Sequence, residues 1–290
     1  MTPTALVLVA AAATIHATWN LLAKRAGDRL AFLWLVNGAG LVIYLPAAAV
    51  ILQRYPAAVG GWPYVLASGA LHAAYYWCLS RMYQHDFSLT YPTARGSAPL
   101  LVALVSVAFL REPLTAWGLG GVGLIIVGMG ALHLRYLPGQ GLRWPLGAAV
   151  RGPAGRSALL TAAMIAAYSL VDRAGVRHIN PIAYLWSVHL VSFAILGVCI
   201  MGRQRARAVA AARQSRWKIL FAAVAQNLAY ILVLFAMRLA PIAYVVPTRE
   251  ISTLIGALFG VVLLKEPFPL AKLAGASLIL AGVALIAVRG

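Results

Sequence analysis

TYPTARGS at Thr90–Ser97 and VVPTREIS at Val245–Ser252 are two versions of one phrase. Each runs through an apolar stretch to a charged stop, FLREPL at Phe109–Leu114 and LLKEPF at Leu263–Phe268. The echo extends outward. AFLWLV at Ala31–Val36 returns as AYLWSV at Ala183–Val188, and HAAYYWCLSRM at His72–Met82 aligns with NLAYILVLFAM at Asn227–Met237. The second half of the 290-residue chain therefore repeats the first, and the fold must explain why.

Composition names the solvent. Hydrophobic residues make up 62% of the chain and charged residues 10%, against roughly 45–50% and about 25% in soluble domains. One water-soluble core cannot hide that much apolar surface. The net charge is +18, from 24 Lys and Arg against six Asp and Glu. The basic residues sit between apolar runs and no aromatic residues interleave with them, so no nucleic-acid partner is expected. Cys78 and Cys199 lie inside apolar runs and build neither a disulfide framework nor a zinc site. The N-terminal run lacks a basic leader and ends in His16, Trp19 and Asn20, which reads as a retained helix.

A membrane-crossing helix takes roughly 17–25 mostly apolar residues. That ruler gives ten segments, near 4–22, 30–51, 63–83, 88–110, 114–135, 156–176, 181–202, 217–238, 241–264 and 268–288. The runs are continuous rather than alternating, which excludes a β-barrel. The expected class is an all-α polytopic membrane protein: a five-helix repeat over 1–135, a loop over 136–155 and a second five-helix repeat over 156–290, together one membrane domain. An odd number of spans per repeat turns the second copy upside down. Inverted repeats of this kind place a site between the halves, near the midplane. The basic stretch Gly202–Lys218 is expected to form a helix on the membrane surface.

Two five-helix units that open with ATWN or AAYSLVDR and close with REP or KEP resemble the EamA-type transporters of the drug/metabolite transporter superfamily. The resemblance covers nearly the whole chain. It implies a basket of ten helices around a central cavity and a small cargo, with bacterial exporters of amino acids as the nearest analogues. It also implies both termini in the cytoplasm. The charges argue otherwise: sixteen Lys and Arg fall in the odd-numbered connections and six in the even ones and the C-terminus, which puts the termini outside. Orientation stays open.

Polar groups within the spans carry the functional expectation, because each is costly in lipid unless it faces a cavity or a partner. The substrate cavity is expected to be lined by His16, Trp19, Asn20, His72, Tyr75, Tyr76, Thr93, Arg95, Tyr168, Trp186, Asn227, Tyr230, Thr248, Arg249 and Glu250. Spacings of four place His16 with Asn20 and His72 with Tyr76 on shared faces. Tyr230 repeats Tyr75, so the pair is expected to flank a substrate. Arg95 and Arg249 lie near a membrane boundary by count. They either snorkel, or meet a substrate carboxylate, or, for Arg95, pair with Glu250 across the repeats when a gate closes. Glu112 and Glu266 read as punctuation, each followed by a proline at a tolerated first position. Gly256 and Gly260 read as a close-packing pair. The Gly118, Gly120, Gly123 match to a nucleotide fingerprint lies inside a span and has no βαβ context.

The expected function is secondary transport: export of small amphipathic metabolites, foremost amino acids including aromatic ones, by alternating access, with membrane lipids as the surroundings. Proton coupling through Glu250, Asp172, His16, His72 or His189 stands beside facilitated export. A lipid-linked sugar flippase, a nucleotide-sugar carrier or a drug exporter is the alternative, and an intramembrane enzyme or sensor the remote one. No cofactor, metal or catalytic residue is expected. The expected location is a bacterial inner membrane.

Overall fold

The computed structural model describes residues 1–23, 28–82, 84, 87–110, 112–132, 135–137, 141–143, 152–203, 205–255 and 270–290. The helices are α1 Pro3–Ala23, α2 Arg29–Arg54, α3 Trp62–Met82, α4 Phe87–Val105, α5 Ala116–Leu132, α6 Pro153–Gly175, α7 Pro181–Arg203, α8 Arg205–Leu239, α9 Ile242–Thr248 and α10 Leu270–Arg289. A π-helical turn, Ser106–Leu110, ends α4. Residues 251–255 continue α9 as helix after a turn. The rest of the expected ninth segment, with Gly256 and Gly260, lies outside the described residues, as does Glu266 beyond it.

Among the described residues, five stretches are long and apolar enough to cross a membrane: Arg29–Arg54, Thr93–Leu110, Pro153–Gly175, Pro181–Gly202 and Ser215–Leu239, with mean hydropathy between 1.4 and 2.2. Pro3–Trp19, Ala116–Ala131 and Leu273–Arg289 are shorter apolar helices. Helix α3 is not among them, because His72, Tyr75, Tyr76 and Ser68 interrupt its apolar run. The interval between the repeats adds something the sequence reading did not foresee, a two-stranded antiparallel hairpin, Arg135–Leu137 with Gly141–Arg143. In α8 the backbone breaks at Ser215 (φ −128°, ψ 23°), which separates the basic helical stretch 205–214 from the apolar span that follows.

Two seams show how the repeats meet. On the α2–α7 seam, Trp34 Nε1 donates to the Phe193 carbonyl at 3.1 Å and Trp186 Nε1 donates to the Leu41 carbonyl at 2.9 Å. Trp34 and Trp186 are equivalent in the aligned AFLWLV and AYLWSV stretches, and Leu41 and Phe193 each lie seven residues further on. The two bonds are thus one bond written twice. Moving up α2 from Trp34 to Leu41 means moving down α7 from Phe193 to Trp186, so equivalent helices run antiparallel. Between them, Asn37 Nδ2 donates to Ser192 Oγ at 2.7 Å.

The α5–α10 seam obeys the same rule. A Cβ on Gly121 would stand 2.7 Å from the Gly282 carbonyl, and one on Gly128 would stand 2.7 Å from the Gly275 carbonyl. Counted from Glu112 and Glu266, Gly121 matches Gly275 and Gly128 matches Gly282. Glycine lets the two backbones touch here, where lipid offers no hydrophobic push and close van der Waals contact must hold helices together. Equivalent helices packed antiparallel on one another are the signature of an inverted repeat. Inside this frame α1 packs on α8 and, correspondingly, α6 packs on α3.

Candidate functional site

The interior cavity is walled by α1, α2, α3, α6, α7, α8 and the segment after α9. His16, Trp19, His72, Tyr75, Tyr76, Tyr168, His189, Gln226, Tyr230 and Arg249 line it, with Ala12, Leu33, Leu79, Ala229 and Val233 between them. It leaves about 50 Å³ for the centres of water-sized molecules, space for a few waters on the scale of ~10–15 Å³ each. The cavity is therefore small in this structure.

His72 packs edge to face with Tyr230 at 5.7 Å and with His189 at 5.9 Å, as ring quadrupoles favour, and lies tilted by 32° against Tyr168 at 4.2 Å, centroid to centroid. Tyr75 and Tyr230 do stand on one cavity, with Tyr168 between them at 5.4 and 6.0 Å. Trp19 is met edge-on by His16 at 5.2 Å.

Behind this wall sits Asp172, fully buried. Three hydroxyls converge on its carboxylate: Ser68 Oγ and Tyr184 OH (2.8 Å) on Oδ1, and Tyr230 OH (2.5 Å) on Oδ2. A carboxylate buried in lipid needs such donors, and all three are neutral. Ser68 and Tyr184 escaped the sequence reading. The signal for Ser68 was its place one helical turn before His72; Tyr184 lay unused inside the echoed AYLWSV.

The histidine tautomers follow from their partners. His72 Nδ1 lies 3.0 Å from the Ser68 carbonyl, which only accepts, so Nδ1 carries the proton. Asn227 Nδ2 donates to the Ala223 carbonyl at 2.8 Å, which leaves Oδ1 as the acceptor for His189 Nδ1 at 3.0 Å. Both rings then carry their lone pair on Nε2, which makes it an acceptor. Gln226 donates Nε2 to Tyr76 OH at 2.9 Å, and its Oε1 has no partner among the described residues.

The two echoed phrases face each other across this site. Arg95 and Arg249 are 7% and 6% exposed, so neither snorkels. Arg95 Nε meets Glu250 Oε2 at 3.2 Å, and its Nη2 donates to Ser252 Oγ at 3.0 Å. The cross-repeat pair expected of a closed gate is formed. Arg249 lines the cavity with its guanidinium carbon 5.9 Å from the Tyr230 ring centre. Its Nε and the Trp19 Nε1 are donors without partners among the described residues. Thr93 and Thr248 are buried beside the phrase but do not line the cavity.

Two expectations need correction. Trp186 is not at the cavity: its indole donates to Leu41 on the α2–α7 seam, because its position in the repeat is that of the scaffold residue Trp34. Glu112 is more than a stop. Its carboxylate accepts from Ser106 Oγ at 2.6 Å, Arg173 Nε at 3.2 Å and the backbone N–H groups of Ile242 and Ala243 at 3.1 and 3.4 Å. It ties the end of α4 to the end of α6 and caps α9. Asn227 acts through His189, and the side chain of Asn20 lies outside the described residues.

The fold and site define a helical membrane protein of two repeats closed around a polar, ring-walled cavity. Residues 3–132 and 156–288 match the EamA-like transporter family, and the chain belongs to it. That family lies within the drug/metabolite transporter superfamily, so the protein is a membrane transporter for a small molecule. No curated protein matches the chain. A solved structure titled "Crystal structure of protein" is similar over 100% of both chains, with a TM-score of 0.75 and 16% identity. At that identity the likeness is one of fold.

Proposed function

We propose that the chain is a secondary carrier of ten spans that exports small amphipathic metabolites, foremost amino acids including aromatic ones, across a bacterial inner membrane. The observation that carries the cargo reading is the mix of donors and acceptors on the residues around the cavity. Arg249 Nε and Trp19 Nε1 only donate, whereas His72 Nε2, His189 Nε2 and Gln226 Oε1 accept. A zwitterion needs both sets, a donor end for its carboxylate and an acceptor end for its ammonium group. The tyrosine and imidazole rings supply faces for an apolar or aromatic side chain. A nucleotide sugar would need several cations for its diphosphate, and Arg249 is the one cation that lines this cavity among the described residues.

The symmetry of the seams supports an alternating-access reading. The repeats are joined by symmetric, antiparallel contacts, so the arrangement and its mirror in the membrane differ little in the scaffold and mainly in the gate. Opening one side breaks Arg95–Glu250. Proton coupling has its best seat at Asp172, which reaches the cavity through the Tyr230 hydroxyl.

The test is uptake into proteoliposomes of labelled Phe, Trp, Thr and Met beside a sugar phosphate, with and without a pH gradient, using Tyr75→Ala/Tyr230→Ala as the control. Saturable amino-acid flux that the double variant loses supports the reading. Sugar-phosphate flux alone, or amino-acid flux indifferent to the double variant, overturns it.

A further inference from the structure

A second polar pocket, of about 340 Å³, opens at the other end of the bundle and has no part in the cavity. Three apolar stretches, Thr93–Leu110, Pro153–Gly175 and Ser215–Leu239, all finish at it. Its place is therefore the edge of the hydrocarbon layer. Arg173 and Arg177 at the end of α6 and Arg238 at the end of α8 converge there around Glu112.

Charge balance fails in this pocket. Glu112 already has four donors, Ser106 Oγ, Arg173 Nε and two backbone N–H groups, and a carboxylate offers about four acceptor sites. It has nothing left for Arg177 or Arg238. The chain holds six acidic residues in all, and the other described ones are engaged elsewhere. Asp28 caps α2, Asp172 sits in its cage of hydroxyls, and Glu250 is on Arg95. Neither Arg177 nor Arg238 meets a carboxylate among the described residues. Among the described residues no acidic side chain supplies their counter-charge, which leaves the pocket able to take an anion.

The rim shows what kind of molecule brings it. Leu110 and Leu239 line the pocket and are 43% and 47% exposed, and Phe109 beside them is 79% exposed. A phosphate held between two arginine forks, with chains running down an exposed apolar wall, is the outline of an anionic phospholipid. We infer that this pocket binds the phosphate of a ligand at the bilayer boundary, and that an anionic lipid headgroup is its source. With Arg173 held by Glu112, the work falls to Arg177 and Arg238. The bound lipid would sit against the end of α8 and the junction of α4, α6 and α9 that Glu112 ties.

Native mass spectrometry of the detergent-solubilised full chain tests this, with dioleoyl phosphatidylglycerol titrated against dioleoyl phosphatidylcholine of the same acyl chains. The expected result is a preference for phosphatidylglycerol of roughly thirty-fold, the scale for two basic residues at an anionic surface. Arg177→Gln/Arg238→Gln should abolish the preference, and Arg54→Gln, at the exposed end of α2, should keep it. Equal binding of the two lipids by the unaltered protein overturns the inference without any variant, and so does a preference that survives in the double variant. Millimolar inorganic phosphate is the arm that separates sources. Phosphate that binds through the two arginines while phosphatidylglycerol shows no preference overturns the lipid assignment in favour of a soluble anion. None of these outcomes bears on the cargo of the central cavity.

Discussion

The scaffold of this protein keeps its symmetry and the interior breaks it. On the α2–α7 seam the Trp34 bond to Phe193 returns as the Trp186 bond to Leu41, and on the α5–α10 seam the glycine contacts return residue for residue. At the cavity the same alignment puts His72 opposite Asn227 and Arg95 opposite Glu250. Symmetric seams let two arrangements of the halves have similar energy, as a carrier needs. An asymmetric interior gives opposite ends of a substrate different partners. The two echoed phrases share both roles: each contributes its Pro-Thr pair, but one arginine is locked to Glu250 while the other faces the cavity.

The comparison breaks most severely at the glycine seam. Gly282→Leu forces a side chain into the Gly121 carbonyl, 2.5 Å from where its Cβ would stand, and into Ile125. Since α5 and α10 have backbone there rather than a flexible neighbour, no monodisperse protein is expected on size exclusion, and Gly128→Leu should fail in the same way.

Next comes the broken symmetry of the gate. Removing one partner of a buried ion pair costs about 3–5 kcal/mol, so Arg95→Gln or Glu250→Gln should lower the melting temperature sharply. The exchange Arg95→Glu/Glu250→Arg should recover a large part of the loss in the same melting assay. Failure of both single variants to destabilise would remove the pair from the account.

Arg249→Gln should act on cargo more than on stability. A hydrogen bond to a charged group contributes about 1.5–3 kcal/mol, which corresponds to roughly a 10- to 150-fold loss of affinity for phenylalanine. Binding of phenethylamine, which lacks the carboxylate, should change far less. Competition assays with the two ligands read this directly, and an equal loss for both would mean that Arg249 only supports the wall.

The smallest effect sharpens the symmetry. Trp34→Phe and Trp186→Phe each delete one indole-to-carbonyl bond, about 0.5–1.5 kcal/mol, and the melting temperatures of the two variants should agree. A large effect at Trp186 alone, with flux lost, would return it to the site.

Much of this was legible in the sequence, and the reasons are physical. Span length depends only on helix rise and bilayer thickness, so Pro3–Ala23, Trp62–Met82 and Leu270–Arg289 fall within a few residues of their expected bounds. The ring wall of His72, Tyr75 and Tyr76 and its repeat at Tyr230 could be read because helical spacing fixes a face. Trp186 misled because an indole within a span looks the same whether it faces a cavity or a neighbouring helix, and only its echo at Trp34 distinguishes them. Glu112 was underrated because its donors come from three separate segments, α4, α6 and α9. The cage of Asp172 was hidden for the same reason, with Ser68, Tyr184 and Tyr230 converging from α3, α7 and α8. Long-range convergence leaves no local pattern.

The central claim is the proposal that a symmetric scaffold exposes one asymmetric cargo site to each side of the membrane in turn. Exchange across proteoliposomes tests it most directly: entry of labelled phenylalanine with and without unlabelled phenylalanine inside. Alternating access predicts saturable entry that the internal substrate accelerates, and Arg249→Gln should weaken that acceleration. Entry that rises linearly with concentration and ignores the internal substrate would contradict the account.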